Sequence, residues 1–406
     1  MADSKVSVLN WLRKQISQLD TDLIRDMLQC IAEYLMSLEA NELCGADHGE
    51  KSPNRVNSRN GYRRRRWDTR AGTIDLAIPR LRRGSYFPDW LLSPRRRSEK
   101  ALVQVVCESY INGVSTRKVE RLATAMGIES ISKSQVSEMG KQIDELVSDF
   151  CQRPLDRGPY PYVWVDAITQ RCREGGRVVN VVAVIATGVN AQGRRAILGV
   201  DVFTSENEAA WKAFLQSLVA RGLSGVCLVV SDANPGLKAA IGSQLPGASW
   251  QRCRTHFAKN LLCKVPKSAQ DFVATMHRSI FTQQTADQVY EQHRRVVEQL
   301  ETRFPEAANM LNEAVEEILA FASFPKAHWR QIWSNNPQER INREIRRRTD
   351  VVSIFPHRNS VIRLLGAILA EQDDEWACAR RYMSLESISQ VHRNDNVVEE
   401  VKKLAA

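Results

Sequence analysis

Tyr162-Val163-Trp164-Val165-Asp166-Ala167-Ile168 reads as a strand: period-two alternation puts Tyr162, Trp164 and Asp166 on one face and Val163, Val165 and Ala167 on the other. Four further strands are expected near residues 177–187, 195–203, 226–231 and 248–252. An amphipathic helix, Ala209 to Ala220, precedes the fourth strand, and a second, from Leu237 to about Ile241, follows it. This α/β texture begins after a Pro/Gly-rich boundary at Arg153-Pro154, Gly158-Pro159 and Pro161. Residues 267–325 read as helices throughout, and no solenoid repeat is visible.

Three acids stand at telling places in this frame. Asp166 lies on the aromatic face of the first strand, near its expected end at Ile168. Asp232 closes the apolar run Val226-Cys227-Leu228-Val229-Val230-Ser231, just before Asn234-Pro235-Gly236. Glu339 lies in Asn335-Asn336-Pro337-Gln338-Glu339-Arg340-Ile341-Asn342, at the start of an arginine-rich helix. A carboxylate at the end of a buried strand is costly unless it meets a cation or hydrogen-bond donors. Each acid also has a plainer reading. Asp166 and Asp232 suit turns after strands, although Asn234 and Pro235 already form an adequate cap and first turn, leaving Asp232 freer. With Asn336 as N-cap, Glu339 falls at capping-box spacing. Yet Asn342, Arg343 and Arg346 share its helix face, whereas Glu344 points about 140° away and Arg348 about 180° away.

The net charge is +10, and it is unevenly spread. Residues 51–100 carry 15 Lys/Arg against Asp68, Asp75, Asp89 and Glu99, a balance of +11 that leaves the remainder near −1. Tyr62, Trp67, Tyr86, Phe87 and Trp90 interleave with those arginines, which favours a folded polyanion-binding surface over a solvated loop. Residues 4–44 read as two amphipathic helices, with Leu9, Leu12, Ile16 and Leu19 on one face and Leu23, Met27, Ile31 and Leu35 on the next. After a polar loop over 45–61, Arg64 to Arg82 reads as a hairpin: a basic strand, a turn at Ala71-Gly72, and the alternating strand Thr73 to Ile78 ended by Pro79. Ser98 to Tyr110 reads as a helix. Then Ser115, Gly127 and Ser132 or Ser134 punctuate a helix-turn-helix, whose second helix carries Lys133, Gln135 and Ser137 toward phosphates and base edges. A purely structural helical pair is the rival reading.

Nine scattered cysteines, with no CxxC pair, fit a reducing cytoplasm. The start Met1-Ala2-Asp3-Ser4-Lys5 lacks a signal-peptide plan, and no run of 18 apolar residues occurs, so a soluble cytoplasmic protein is expected. Neither a GxxxxGK[ST] loop nor a GxSxG elbow is present, which removes the usual grounds for ATP hydrolysis or a serine hydrolase. Cys253 and His256 make a Cys-x2-His pair, but the sequence offers no convincing second pair for a structural zinc, and Cys263 reads as packing.

Taken together, Asp166-Ala167, Val230-Ser231-Asp232-Ala233-Asn234-Pro235-Gly236-Leu237, Trp250-Gln251-Arg252-Cys253-Arg254-Thr255-His256 and Asn335 through Arg348 resemble the mutator-type transposases of bacterial insertion sequences. The likeness runs in order from Glu39-Ala40-Asn41-Glu42-Leu43-Cys44-Gly45, through Arg59-Asn60-Gly61-Tyr62, to Asp374-Glu375-Trp376. One departure is Arg171, at a place where the family often has lysine.

The resemblance implies an α/β RNase H-like core of the DDE type with an all-helical insertion. That core follows a mainly helical DNA-binding region containing the helix-turn-helix. The implied division is 1–97 (helical and basic), 98–150 (helix-turn-helix), 151–266 (first part of the core), 267–325 (insertion) and 326–406 (final part of the core). The family's acids fall on Asp166, Asp232 and Glu339, as catalytic residues and ligands of two divalent ions, Mg²⁺ being expected. Its Cys-x2-His signature falls on Cys253 and His256, with no role attached. The expected activity is metal-dependent cleavage and strand transfer at the terminal inverted repeats of an insertion sequence, by a homo-oligomer. Arg63, Arg64, Arg65, Arg66, Lys133, Gln135, Ser137, Arg343 and Arg346 are expected to contact double-stranded DNA. A DNA-binding repressor with structural acids, and a nuclease without strand transfer, are the alternatives.

Overall fold

The computed structural model describes residues 23–92, 98–112, 114, 116–125, 128, 140 and 142–391. Two compact units divide at Gln142/Ile143.

In the first unit, α1 (Leu23–Cys44) lies against a hairpin of β1 (Arg59–Thr69) and β2 (Gly72–Leu81), followed by α2 (Lys100–Ile111) and α3 (Thr116–Ala125). Ile74, Leu76 and Ile78 alternate on the inner face of β2 and are buried with Trp67 against Ala32 and Met36 of α1. The helix stripe thus differs from the one expected. Ala32, Met36, Ala40 and Cys44 are buried while Ile31 and Leu35 are exposed. Packing of Ala32 and Met36 against Trp67, Ile74, Leu76 and Ile78 of the hairpin decides between two apolar stripes of the helix. Glu39 accepts from Tyr86 Oη (2.5 Å) and Trp90 Nε1 (2.9 Å), tying the segment after β2 to α1. Pro79 lies inside β2 instead of ending it, opposite Tyr62; a two-stranded sheet has only edges, so its missing N–H breaks no central ladder. The second helix of the expected helix-turn-helix, with Lys133, Gln135 and Ser137, lies outside the described residues, as does the proposed first helix of residues 4–22.

The second unit is built on a five-stranded mixed sheet in the order β5-β4-β3-β6-β7. Its strands are β3 (Tyr162–Glu174), β4 (Arg177–Val189), β5 (Arg195–Phe203), β6 (Leu228–Ser231) and β7 (Ser249–Arg252). The first three pair antiparallel, while β3/β6 and β6/β7 are parallel. The alternation in β3 separates two cores. Val163, Val165 and Val229 pack with α5 (Glu208–Ala220) and α6 (Pro235–Gln244). Tyr162, Trp164, Leu228 and Val230 pack on the other face with α7 (Arg254–Leu262) and the helices beyond it.

Those helices are α8 (Gln270–Ile280), α9 (Ala286–Glu301), α10 (Pro305–Glu313) and α11 (Val315–Leu319), leading to α12 (Trp329–Ile332) and α13 (Asn336–Thr349). The helix α4 (Gln142–Gln152) precedes the sheet, and α14 (Arg358–Cys378) runs along β5, where Asp373 accepts the Ile197 N–H at 2.7 Å. Among the described residues no helix is long and apolar enough to cross a membrane.

Within the helical insertion, His277 stacks between Phe257 and Phe281, with ring centroids 5.7 and 5.1 Å away, and its Nε2 is buried without a partner. Burial, aided by the Arg254 charge, pushes its pKa down to about 3. The folded value is depressed, so the neutral imidazole gives full stability above the unfolded value of about 6.5, and this is lost as pH falls toward 3. His277→Phe should therefore melt higher than the parent, and its melting temperature should fall less between about pH 7 and about pH 4.5. Parallel curves in a thermal scan would show that the imidazole is not held neutral.

Candidate active site

Asp166 and Asp232 lie just past the paired stretch of adjacent parallel strands. Tyr162 pairs with Leu228 and Trp164 with Val230, and the same register carries on to Asp166 and Asp232. The first strand does not stop near Ile168 as expected: its pairing with β4 carries it on to Glu174, so Asp166 is inside β3, whereas Asp232 follows the end of β6. Asp166 Oδ1 accepts the Ala167 N–H at 2.9 Å, and Oδ2 accepts Asn342 Nδ2 at 2.5 Å. Burial, partly offset by the Ala167 N–H and reinforced by the Asp232 charge, pushes Asp166 up to about 6. Asn234 caps α6 through Leu237 N at 3.0 Å, as its Asn-Pro pair implied, and Asp232 is left to the site. A fourth acid was not singled out in the sequence. Glu206, in the loop before α5, accepts Asn234 Nδ2 at 2.7 Å and is pushed up by burial and by the charge of Asp232.

Glu339 rides on α13, whose mooring is visible residue by residue. The N-cap is Asn335, one residue earlier than expected, and it makes no side-chain cap. Its N–H donates to Cys253 Sγ at 3.2 Å and its Nδ2 to Val165 O at 3.2 Å. The capping-box position then falls on Gln338, whose Oε1 accepts Thr187 Oγ1 of β4 at 2.9 Å. Glu339 is therefore not a capping glutamate, and its carboxylate has no hydrogen-bond or ion-pair partner among the described residues. Helical geometry sets it about 40° from Asn335 and about 60° from Asn342. Those two residues touch Val165 and Asp166, so Glu339 occupies the helix face turned to that stretch of β3.

The segment Trp250 to His256 joins all the pieces. Trp250 Nε1 donates to Ser231 Oγ at 2.8 Å. Gln251 donates to Ile318 O (2.9 Å) and accepts from Phe321 N (2.8 Å), clamping the end of the insertion to β7. The Arg254 guanidinium lies over Phe281 and Trp333, 4.5 and 4.8 Å from their centroids. His256 Nδ1 forms an ion pair with Asp232 Oδ1, and that carboxylate, with Cys253 alongside, pushes the imidazole up to about 10. Cys253, His256 and Asp232 thus form one cluster.

A family model described as Transposase, Mutator family matches residues 2–379. The chain belongs to the Mutator family of transposases. It is 54% identical over 392 residues to the transposase for insertion sequence element IS1081 of Mycobacterium tuberculosis, covering 97% of this chain and 94% of that one. It is 36% identical over 375 residues to the ISRM5 transposase of Rhizobium meliloti, covering 92% and 94%. It is 33% identical over 368 residues to the IS256 transposase of Tn4001 from Staphylococcus aureus, covering 90% and 94%.

In this transposase the expected DNA-facing arginines differ in their surroundings. Arg343 and Arg346 are exposed on α13, and Arg343 lines an open cleft of about 330 Å³ with Arg340 and Arg347. Arg348 is 8% exposed and bonds Glu344 (2.7 Å) and Glu371 (2.6 Å), which makes it a strut between α13 and α14. On the hairpin, Arg64 and Arg66 point away from α1. Arg63 and Arg65 share the face of Ile78 and Leu76, with Arg65 lying over Phe87.

Two stability predictions follow from the charges at this site. Asp166→Asn removes a buried carboxylate beside another acid, and should stabilise the metal-free protein by roughly 1–2 kcal/mol in calorimetry; a lower melting point would mean that Asp166 is held by its hydrogen bonds alone. Arg348→Ala should cost about 2 kcal/mol by leaving Glu371 unpaired and a buried guanidinium's place empty, Glu344 keeping Arg347, whereas Arg343→Ala and Arg346→Ala should stay within about 0.5 kcal/mol. Equal losses in all three would mean that the strut contributes nothing.

Proposed function

We propose that this protein is the DNA transposase of an insertion sequence, cutting and joining DNA at the element's terminal inverted repeats through Asp166, Asp232 and Glu339. One observation carries the reading: in a member of a transposase family, a buried carboxylate, Asp166, has its pKa raised by that burial and by the charge of Asp232 beside it on neighbouring parallel strands, and the unpartnered Glu339 stands on the helix face turned to them. Three antiparallel strands followed by two parallel ones, with the first strand central, support an RNase H-like core.

The donors suit a hard dication. Asp166, Asp232 and Glu339 supply carboxylate oxygens, and Asn342 Oδ1 is buried beside Asp166 with no hydrogen-bond partner. The three acids would hold two Mg²⁺ ions. Bound there, Mg²⁺ supplies Lewis acidity, activating a water or 3′-hydroxyl and stabilising the leaving oxygen. Asn342 fixes the rotamer of Asp166, and the Ala167 N–H holds its other oxygen. Arg343 and Arg346, on the Glu339 side of α13, would grip phosphates flanking the scissile bond and keep it in line.

Residues 1–150 would recognise the element ends. The exposed Arg63 and Arg64 would meet phosphates, and Arg65 and Arg66, the latter paired with Asp75, add to their field. Lys133, Gln135 and Ser137 would read base edges from the second helix of a helix-turn-helix. Both ends must be held at once, so the working form would be a homo-oligomer on DNA.

The test incubates the full chain with labelled element-end DNA, a target plasmid and Mg²⁺. Cleavage with joining is expected. Asp166→Ala, Asp232→Ala and Glu339→Ala should each lower cleavage at least about a thousandfold while end binding changes little. Arg343→Ala and Arg346→Ala should slow cleavage by about tenfold or more. Binding without cutting by the parent protein would make it a repressor, and cutting without joining a nuclease.

A further inference from the structure

Cys253 and His256 stand beside Asp232 with no part in the chemistry above. Their convergence is a product of strand register. Ser231 pairs with Arg252 across parallel β6 and β7, and the Cys253 N–H donates to Ser231 O at 2.8 Å, so Asp232 and Cys253 emerge side by side. His256 follows three residues later in the first turn of α7 and returns over the same point. One carboxylate oxygen, one sulfur and one imidazole nitrogen then lie within 4.8 Å of one another. A tetrahedral site with bonds of roughly 2.0–2.3 Å needs donors roughly 3.3–3.8 Å apart, so displacements of about 1 Å close it.

Three further features mark the cluster as a ligand set. Cys253 is wholly buried, and its sulfur accepts the Asn335 N–H, the sort of outer hydrogen bond that aims a metal ligand. Asp232 Oδ1 and His256 Nδ1 are buried and abut as an ion pair, so two of the three donors already face one point. The donors are also of the wrong kind for Mg²⁺, which takes oxygens and water. Sulfur and imidazole select Zn²⁺ and its neighbours.

We propose that Asp232, Cys253 and His256 form a three-donor site for a thiophilic dication of the Zn²⁺ class, and that its occupancy withdraws Asp232 from Mg²⁺ and switches strand cleavage off. The fourth ligand position is open to water. On binding, the Cys253 thiol and the His256 ring each release a proton to solvent as the metal–sulfur and metal–nitrogen bonds form. The site stands on its own geometry; the switching-off rests on the reading of Asp232 as a Mg²⁺ ligand.

Co²⁺ is the probe, titrated into the full metal-free chain in excess Mg²⁺. The expected result is one equivalent bound, with a near-ultraviolet sulfur-to-cobalt band and visible bands of tetrahedral intensity. Cys253→Ser should abolish the near-ultraviolet band, and His256→Ala should weaken binding by about tenfold or more. Cys263→Ser and Cys378→Ser, at exposed cysteines, should leave the spectrum unchanged. Should Cys253→Ser fail to fold, X-ray absorption at the zinc edge of the loaded parent decides, with one sulfur expected at about 2.3 Å. A spectrum with no sulfur band, a band that survives Cys253→Ser, or a zinc edge without sulfur overturns the site. In the second arm, one equivalent of Zn²⁺ should cut the Mg²⁺-dependent cleavage rate at least about tenfold in the parent, and much less in Cys253→Ser relative to its own rate. Spectroscopic binding with undiminished cleavage overturns the switch and leaves the site. Absence of Mg²⁺-dependent cleavage altogether overturns the transposase reading without touching the cobalt result.

Discussion

Asn335 is fully buried where three distant stretches of chain meet, and its two N–H donors decide where the third acid goes. One bonds the sulfur of Cys253 just after β7, the other the carbonyl of Val165 within β3. A helix attached at one point could swing. Fixed at both strands, and again through Gln338 to Thr187 and Asn342 to Asp166, α13 can present Glu339 only toward the Val165–Asp166 stretch of β3. Its neighbour Ser334 adds a further tie by accepting from Trp164 Nε1 at 3.3 Å. These bonds lie in surroundings where an unpaired polar group costs about 1–3 kcal/mol, so each helps define a single arrangement.

The insertion between α7 and α13 matters for the same reason. It would be a liability if it dangled, since a long excursion must close before Glu339 can return. Its core is instead continuous with the sheet face of Tyr162 and Trp164, running through Phe257, Phe281, Phe321 and Trp329. Gln251 satisfies backbone groups of Ile318 and Phe321 at the insertion's far end, and Arg254 stacks between Phe281 and Trp333. The insertion is therefore a brace, and Trp250 to His256 is the joint where brace, sheet and acid helix are fastened.

Electrostatics runs against this mechanical order. Asp166 and Asp232 repel each other across a partly buried gap, and Glu206 adds a third negative group behind them. The protein bears that cost with few donors: one backbone N–H, Asn342 and the cationic face of His256. A site so arranged is at its least stable when empty of cations, which is the usual relation between a preorganised catalytic centre and the stability of its fold. The Arg348 strut to Glu344 and Glu371 shows the opposite use of charge on the same helix, a guanidinium fully paired with acids.

How much of this could be read from residues alone follows from the range over which each interaction acts. Period-two alternation in Tyr162 to Ile168 determined the two faces of the central strand, because side-chain direction is a local property of the backbone. Asn234-Pro235 likewise announced its own cap. The grouping of Asp166, Asp232 and Glu339 came from resemblance, since no local rule links positions so far apart. Where two local patterns had similar strength, tertiary packing chose. On α1 the hairpin took the stripe of Ala32 and Met36 and left Ile31 and Leu35 outside, and at α13 the buried demands of Cys253 and Val165 moved the cap to Asn335. Helical angle set Arg348 on the far side of α13 from Glu339, but not its strut role, because α14, which supplies Glu371, arrives from elsewhere in the chain. The Cys253-x2-His256 pair is the clearest case. The sequence by itself determined that two ligands share one turn, and only the parallel register of β6 and β7 supplied Asp232 as the third, because backbone hydrogen bonds between strands, not the order of residues, set which side chains become neighbours.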